Sequence, residues 1–155
     1  MKPHNPNSIS SQAEGTAPVA PPAVVLLVED DRPLLELFTR FLQADQLRVL
    51  TAANGHDALA VLEKSRPDLV VTDVAMPRLD GFGLMRRLRR LYPDIPVIVI
   101  SGDDWYTDRP VAAVAAELGA VATLIKPFDL AVLHEAVWSV LPGNGEARRR
   151  ERLSA

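Results

Sequence analysis

The stretch from Leu69 to Gly81, L-V-V-T-D-V-A-M-P-R-L-D-G, constrains this chain more than any other. An apolar run, Leu69-Val70-Val71, leads directly into Asp73, and the turn signal Asp80-Gly81 follows after Met76-Pro77. A buried strand that delivers a carboxylate at its exit, into a loop stiffened by Pro77 and turned at Gly81, presents an acid rigidly. On its own the run also fits an ordinary strand ending in a solvated aspartate. The other strand exits decide between the two.

Ala23 to Val28 is a continuous apolar run, as expected of a strand covered on both faces, and it ends in Glu29-Asp30-Asp31. Pro33 then stands where a helix begins, and Leu34, Leu35, Phe38, Phe41 and Leu42 recur at helical spacing. Leu47 to Thr51 reads as a second strand, Asn54-Gly55 as its punctuation, and Ala58, Leu59, Val61 and Leu62 as a second helix closed by Pro67. The Leu69 run is the third strand. Beyond Gly81 a third helix is expected to carry Phe82, Met85, Leu88 and Leu91 on its apolar face, with Arg86, Arg87, Arg89 and Arg90 on a solvated one. Val97 to Ile100 gives a fourth strand ending at Ser101-Gly102, and Val111 to Leu118 a fourth helix stopped by Gly119. Val121 to Ile125 gives a fifth strand ending at Lys126-Pro127, and Leu130 to Leu141 a fifth helix ended by Pro142-Gly143.

Strands alternating with helices in this way specify an α/β fold, a five-stranded parallel sheet with helices on both faces. Right-handed crossovers restrict it to the doubly wound family, where ligands bind at the carboxyl ends of the strands. The 155 residues suit one domain plus tails. Residues 1–22 hold five of the thirteen prolines and few large apolar groups, so they read as a flexible leader. Residues 23–142 form the domain. Residues 143–155 read as a short tail holding Arg148, Arg149, Arg150 and Arg152 against Glu146 and Glu151, too short for a helix-turn-helix. The net charge of −3 argues against a nucleic-acid-binding domain. No cysteine is present, which excludes disulfides and thiolate metal sites and agrees with a cytoplasmic location. No apolar run reaches the roughly 18 residues of a membrane span, and no secretory signal order is seen at the N-terminus.

The strand exits carry chemistry. They bring Glu29, Asp30, Asp73, Ser101 and Lys126, distant in sequence, to one edge of the sheet. Three carboxylates together repel one another unless a cation lies among them, and oxygen ligation of this kind suits Mg²⁺. A hydroxyl and an ammonium opposite would complete a clamp for a phosphoryl group. Asp73 is then the natural nucleophile, since carboxylates form aspartyl phosphates.

These motifs, V-E-D-D, T-D-V-A-M-P-R-L-D-G, S-G and K-P-F, resemble the receiver domain of two-component response regulators over about residues 23 to 142. The resemblance implies a flavodoxin-like strand order, 2-1-3-4-5. It implies Asp30 and Asp73 as direct Mg²⁺ ligands, Glu29 as a ligand through water, and the Ala75 carbonyl as the third protein ligand. It makes Asp73 the phosphoacceptor, Ser101 the switch hydroxyl, Lys126 its partner at the phosphoryl group, and Lys126-Pro127 a cis bond. Asp31 has a plainer reading, as the cap of the first helix. A sensor histidine kinase or a histidine phosphotransfer protein would donate the phosphoryl group to a stand-alone receiver. The output would be binding of a downstream protein partner, with no membrane or nucleic-acid role and no turnover beyond self-phosphorylation and self-dephosphorylation.

Two departures stand out. The family commonly places an aromatic residue three positions before the lysine, where this chain has Thr123. The segment from Ser101 to Lys126 is also longer than in compact members, the excess falling in residues 103–109 with Trp105 and Tyr106. These aromatics read either as a partner-binding spot or as rings folded over the fourth helix. His4, His56 and His134 share no ligand spacing, and His134 reads as a packing or surface residue. The competing readings are a haloacid-dehalogenase-type phosphatase and a phosphorylation-independent pseudo-receiver. The first lacks an acid two residues after Asp73, where Ala75 stands, and the second is at odds with a complete set of site groups.

Overall fold

Five parallel strands form the centre of the molecule, seen in a computed structural model that describes residues 21–142. The tail at 143–155 and all but the last two residues of the leader at 1–22 lie outside the described residues. The sheet strands are β1 (Val24–Val28), β2 (Arg48–Ala52), β3 (Leu69–Asp73), β4 (Val97–Ser101) and β7 (Ala122–Ile125). Helices α1 (Arg32–Ala44), α2 (Gly55–Lys64), α3 (Gly81–Leu91), α4 (Val111–Glu117) and α5 (Leu130–Val140) fill the crossovers. The order is the expected flavodoxin-like 2-1-3-4-5, with β7 as the fifth strand of the sheet. What the sequence did not reveal is a small antiparallel hairpin, β5 (Trp105–Tyr106) and β6 (Arg109–Pro110), set between β4 and α4.

Period-two alternation divides the core into two layers. Leu26, Val28, Val70, Val97 and Val99 face α2, α3 and α4, where Leu62, Phe82, Met85, Leu88 and Val114 meet them. Val25, Leu27, Leu69, Val71, Ile98 and Ile100 face α1 and α5, where Phe38, Leu42, Leu133 and Val137 complete the packing. The central strands β3 and β4 are buried at every position, as their uninterrupted apolar sequences require. The edge strand β2 is partly exposed.

The helix starts are set by caps that also fix the strand exits. Asp31 caps α1 by accepting from the Leu34 N–H at 3.2 Å, its expected role. Asn54 caps α2 through the Asp57 N–H at 2.9 Å, and Asp80 caps α3 through the Gly83 N–H at 2.7 Å. On α3 the apolar face differs from expectation at one residue. Leu84 is buried with Phe82, Met85 and Leu88, whereas Leu91 is 55% exposed. Leu91 ends the helix; the chain then turns at Tyr92 and places Ile95 in the core instead. The arginines of α3 are exposed as expected, Arg89 donating to the Glu117 carbonyl at 2.9 Å.

Candidate functional site

Asp73 ends β3 between β1 and β4, and this register places it among the exits of its neighbours. Its carboxylate is held in one rotamer by the Val74 N–H, which donates to Oδ1 at 2.9 Å. The loop beyond is drawn tight against the strand by the Gly81 N–H, which donates to the Val74 carbonyl at 2.8 Å. A Cβ at position 81 would lie 2.1 Å from the Asp73 carbonyl oxygen, so only glycine allows this approach.

Glu29 follows β1 and is only 2% exposed. Its Oε1 accepts from the Asp31 N–H at 3.1 Å and its Oε2 from the Lys126 ammonium at 3.1 Å. Lys126 follows β7 and lies 3.5 Å from Asp73 Oδ2, so one ammonium serves two carboxylates. Asp30 is exposed beside them, and carboxylate oxygens of Glu29, Asp30 and Asp73 come within 4.8 Å of one another. Lys126-Pro127 is cis, the form the resemblance implied.

The electrostatics of this group are unbalanced. Burial pushes the Glu29 carboxyl up to about 7, and the neighbouring Asp73 charge adds to that rise. The Asp31 N–H and Lys126 oppose it without cancelling it. Burial likewise raises the Asp73 carboxyl above the usual carboxylate range, although Lys126 and the Val74 N–H pull it down. For Lys126 itself burial works to lower the pKa, but the Asp73 and Glu29 charges outweigh it and leave it raised. The Glu29–Lys126 ion pair alone would suggest a fully ionised glutamate. Desolvation of two adjacent carboxylates outweighs a single ammonium, and the Glu29 carboxyl is raised. An excess of negative charge on hard oxygen donors is what a small divalent cation would relieve, so the donor set fits Mg²⁺.

Ser101 ends β4, buried, but its hydroxyl is turned into its own loop. It donates to the Asp103 carbonyl at 2.7 Å and accepts from the Asp103 N–H at 3.1 Å. A cleft of about 470 Å³ opens beside Asp30, Ala75, Ser101 and Asp103, and its far wall is Trp105 and Tyr106. The strand exits therefore bring Lys126 into contact with Glu29 and Asp73 and set Asp30 within 4.8 Å of both carboxylates, with Ser101 and Ala75 lining the adjoining cleft. Thr123 is half-buried on β7.

In the extra segment 103–109 the two aromatics part ways. Tyr106 packs onto the core layer beneath α3 and α4. Its ring meets Phe82 of α3 edge-on, with centroids 4.7 Å apart at 88°, and its hydroxyl donates to Asp80 Oδ2 at 3.1 Å. Trp105 remains 62% exposed. The hairpin reaches α4 through Arg109, which forms a two-point ion pair with Glu117, and through the Val111 N–H on the Asp104 carbonyl. Sequence reasoning took Asp80 as a turn signal only. Its position before Gly81 and the α3 apolar run is a helix-cap signature that identifies half of its role. His134 packs between Phe41 and Trp138 and meets Asp45 Oδ2 at 2.6 Å, in keeping with its reading as a packing residue.

Residues 25–138 match the family model of the response regulator receiver domain. Response regulator MprA of Mycolicibacterium vanbaalenii is 41% identical over 109 residues, covering 70% of this chain and 46% of that protein. The chain spans about half the length, or less, of the curated relatives it matches. Among solved structures, the chemotaxis response regulator CheY4 of Vibrio cholerae superposes with a TM-score of 0.70 at 30% identity. That match covers 77% of this chain and 99% of CheY4. Response regulator TrrA of Thermotoga maritima, solved in complex with Mg²⁺ and BeF, gives a TM-score of 0.68 at 26% identity, covering 77% and 99%. Among the described residues no helix is long and apolar enough to cross a membrane.

Proposed function

This chain belongs to the response regulator receiver family, and from that premise we propose that it takes a phosphoryl group onto Asp73 from a histidine kinase or a histidine phosphotransfer protein. The observation that supports this most is the convergence of Glu29, Asp30 and Asp73 with Lys126 at one strand edge. Asp73 is the nucleophile. As its oxygen forms a bond to phosphorus, the bond from phosphorus to the donor imidazole breaks and the electron pair stays on the departing nitrogen. The Val74 N–H holds the attacking carboxylate in orientation, so little rotational freedom is lost on reaction. Lys126, already 3.5 Å from Asp73, neutralises charge on the transferred group. Ser101 turns from Asp103 to donate to a phosphoryl oxygen.

Asp30, Asp73 and the Ala75 carbonyl would hold Mg²⁺ directly, with Glu29 acting through water; bound there, it supplies positive charge to the phosphoryl oxygens. We assign the receiver to residues 23–142, place the protein in the cytoplasm, and take its output to be altered affinity for a downstream protein. The phosphatase reading is not favoured, since Ala75 offers no acid to protonate a leaving group.

The test is labelling with acetyl phosphate and Mg²⁺, with the site located by mass spectrometry. Label is expected on Asp73 alone. Asp30→Ala should reduce labelling far more than Asp31→Ala, because Asp31 is engaged in capping α1. Substantial label surviving in Asp73→Asn would overturn the assignment.

A further inference from the structure

The hairpin β5–β6 has no part in the reading above, yet it begins two residues after the backbone group that holds Ser101. Both hydrogen bonds of the Ser101 hydroxyl go to Asp103. A hydroxyl that donates to the Asp103 carbonyl cannot donate the same proton to a phosphoryl group, so the position of Asp103 decides whether Ser101 is available. Only Asp104 separates Asp103 from the hairpin, and the hairpin is pinned on both strands. Arg109 fastens its second strand to Glu117 of α4. Tyr106 fastens its first strand to α3, with its ring on Phe82 and its hydroxyl on Asp80 Oδ2. Asp80 is anchored in turn, since its Oδ1 caps α3 through the Gly83 N–H.

The turn between the strands is held under strain. Thr107 has φ of 58°, a left-handed conformation that a β-branched residue rarely adopts. Such a residue keeps that conformation only where its surroundings impose it. Here the two-residue loop between Tyr106 and Arg109 calls for it, and the Thr107 hydroxyl supports it by donating to the Tyr106 carbonyl at 2.6 Å.

We propose that Tyr106 is a positioning residue for Ser101: latched on Asp80 and Phe82, it holds the hairpin where the Asp103 carbonyl retains the Ser101 hydroxyl, and the latch opens when Ser101 turns to the phosphoryl group. This rests on the receiver reading and adds to it the route by which the state of Asp73 reaches the surface. Trp105, the exposed ring of the same hairpin strand, carries the change to solvent. By linkage, a contact made only in the unphosphorylated form opposes phosphorylation, so its removal favours the phosphorylated form.

The probe is beryllofluoride with Mg²⁺, a stable mimic of the aspartyl phosphate, titrated by calorimetry. Tyr106→Phe keeps the ring on Phe82 and deletes only the hydroxyl. It should tighten beryllofluoride binding by about threefold to tenfold, the range expected of one hydrogen bond to a partly exposed carboxylate. In a Trp138→Phe background, which leaves Trp105 as the fluorophore, the spectrum of free Tyr106→Phe should move toward that of the beryllofluoride-bound parent. The gain should vanish in the Ser101→Ala background, because the latch acts through that hydroxyl. Unchanged affinity in Tyr106→Phe, or a gain undiminished in Ser101→Ala, would overturn the latch and leave the receiver reading standing. Failure of the parent protein to bind beryllofluoride, or binding that survives Asp73→Asn, would overturn both.

Discussion

Raising the pH in the absence of divalent cations should make this protein easier to unfold. The Glu29 carboxyl stands at about 7 in the folded chain, against 4.5 for an ordinary glutamate. Between those values the folded state retains a proton that the unfolded chain has released. Stability falls with pH wherever the folded state binds more protons, so this contribution is complete below the ordinary value and lost as pH rises through 7. At 1.36 kcal/mol per pKa unit, Glu29 alone accounts for about 3 kcal/mol. Because Glu29 titrates together with Asp73 and Lys126, this figure is an upper bound for the group of three. Asp73 is raised for the same first reason, desolvation, and acts in the same direction. Lys126 does not enter, because its raised pKa acts only above its ordinary 10.5. For a domain of this size the loss corresponds to roughly 10 °C in Tm.

The assay is urea unfolding in EDTA, repeated from about pH 5 to about pH 8, which brackets the window set by the Glu29 shift. Millimolar Mg²⁺ should restore most of the loss at the alkaline end, since it binds the ionised cluster of the folded state and not the unfolded chain. Glu29→Gln keeps an acceptor for the Asp31 N–H and has no proton to lose, so its profile should be flatter than that of the wild type. Stability that rises with pH in EDTA would refute the reasoning, as would an unchanged slope in Glu29→Gln. Indifference to Mg²⁺ at the alkaline end would show that no cation is held by these carboxylates.

Two further outcomes test the geometry around Asp73. Ala75 lines the cleft with no polar side-chain atom to orient a hydrolytic water, so Ala75→Asn should speed loss of the aspartyl phosphate. The gain should not exceed roughly tenfold, about 1.4 kcal/mol of barrier, read from the decay of labelled protein after donor removal. Gly81→Ala would set a Cβ 2.1 Å from the Asp73 carbonyl oxygen and 2.9 Å from Val74 Cα. Because both neighbours are backbone, the strand exit must move, at an expected cost of about 3 kcal/mol in urea unfolding together with weaker phosphorylation. Gly102→Ala, whose Cβ meets nothing within 4 Å, serves as the stability control.

What could be read from the sequence divides along a physical line. A parallel sheet places every strand exit on one edge, so Glu29, Asp30, Asp73, Ser101 and Lys126 could be brought together once the strands were recognised, without knowing a single contact. The two core layers followed just as directly from the alternation along β1, β3 and β4. Leu91 was misplaced because helical periodicity identifies a face and says nothing about where the chain leaves it; the turn at Tyr92 gave that place in the core to Ile95. Trp105 and Tyr106 stayed between two readings for a deeper reason. Strand β5 has two residues and no periodicity, and the Tyr106–Asp80 bond joins positions 26 apart that no local rule pairs.

Asp80 shows what that gap concealed. One carboxylate oxygen satisfies one of the orphan donors of α3, a role that any aspartate before a helix can take. The other receives Tyr106, a role that depends on the inserted hairpin alone. Because both oxygens belong to one group, the start of α3 and the loop that holds Ser101 are coupled for as long as the Tyr106 bond is made. Gly81, the next residue, is pressed against the carbonyl of Asp73, so the same anchor lies one residue from the acceptor strand. On the proposed reading, a phosphoryl group on Asp73 would therefore meet the hairpin from two sides, through Ser101 and Asp103 along the chain and through Gly81 and Asp80 across it.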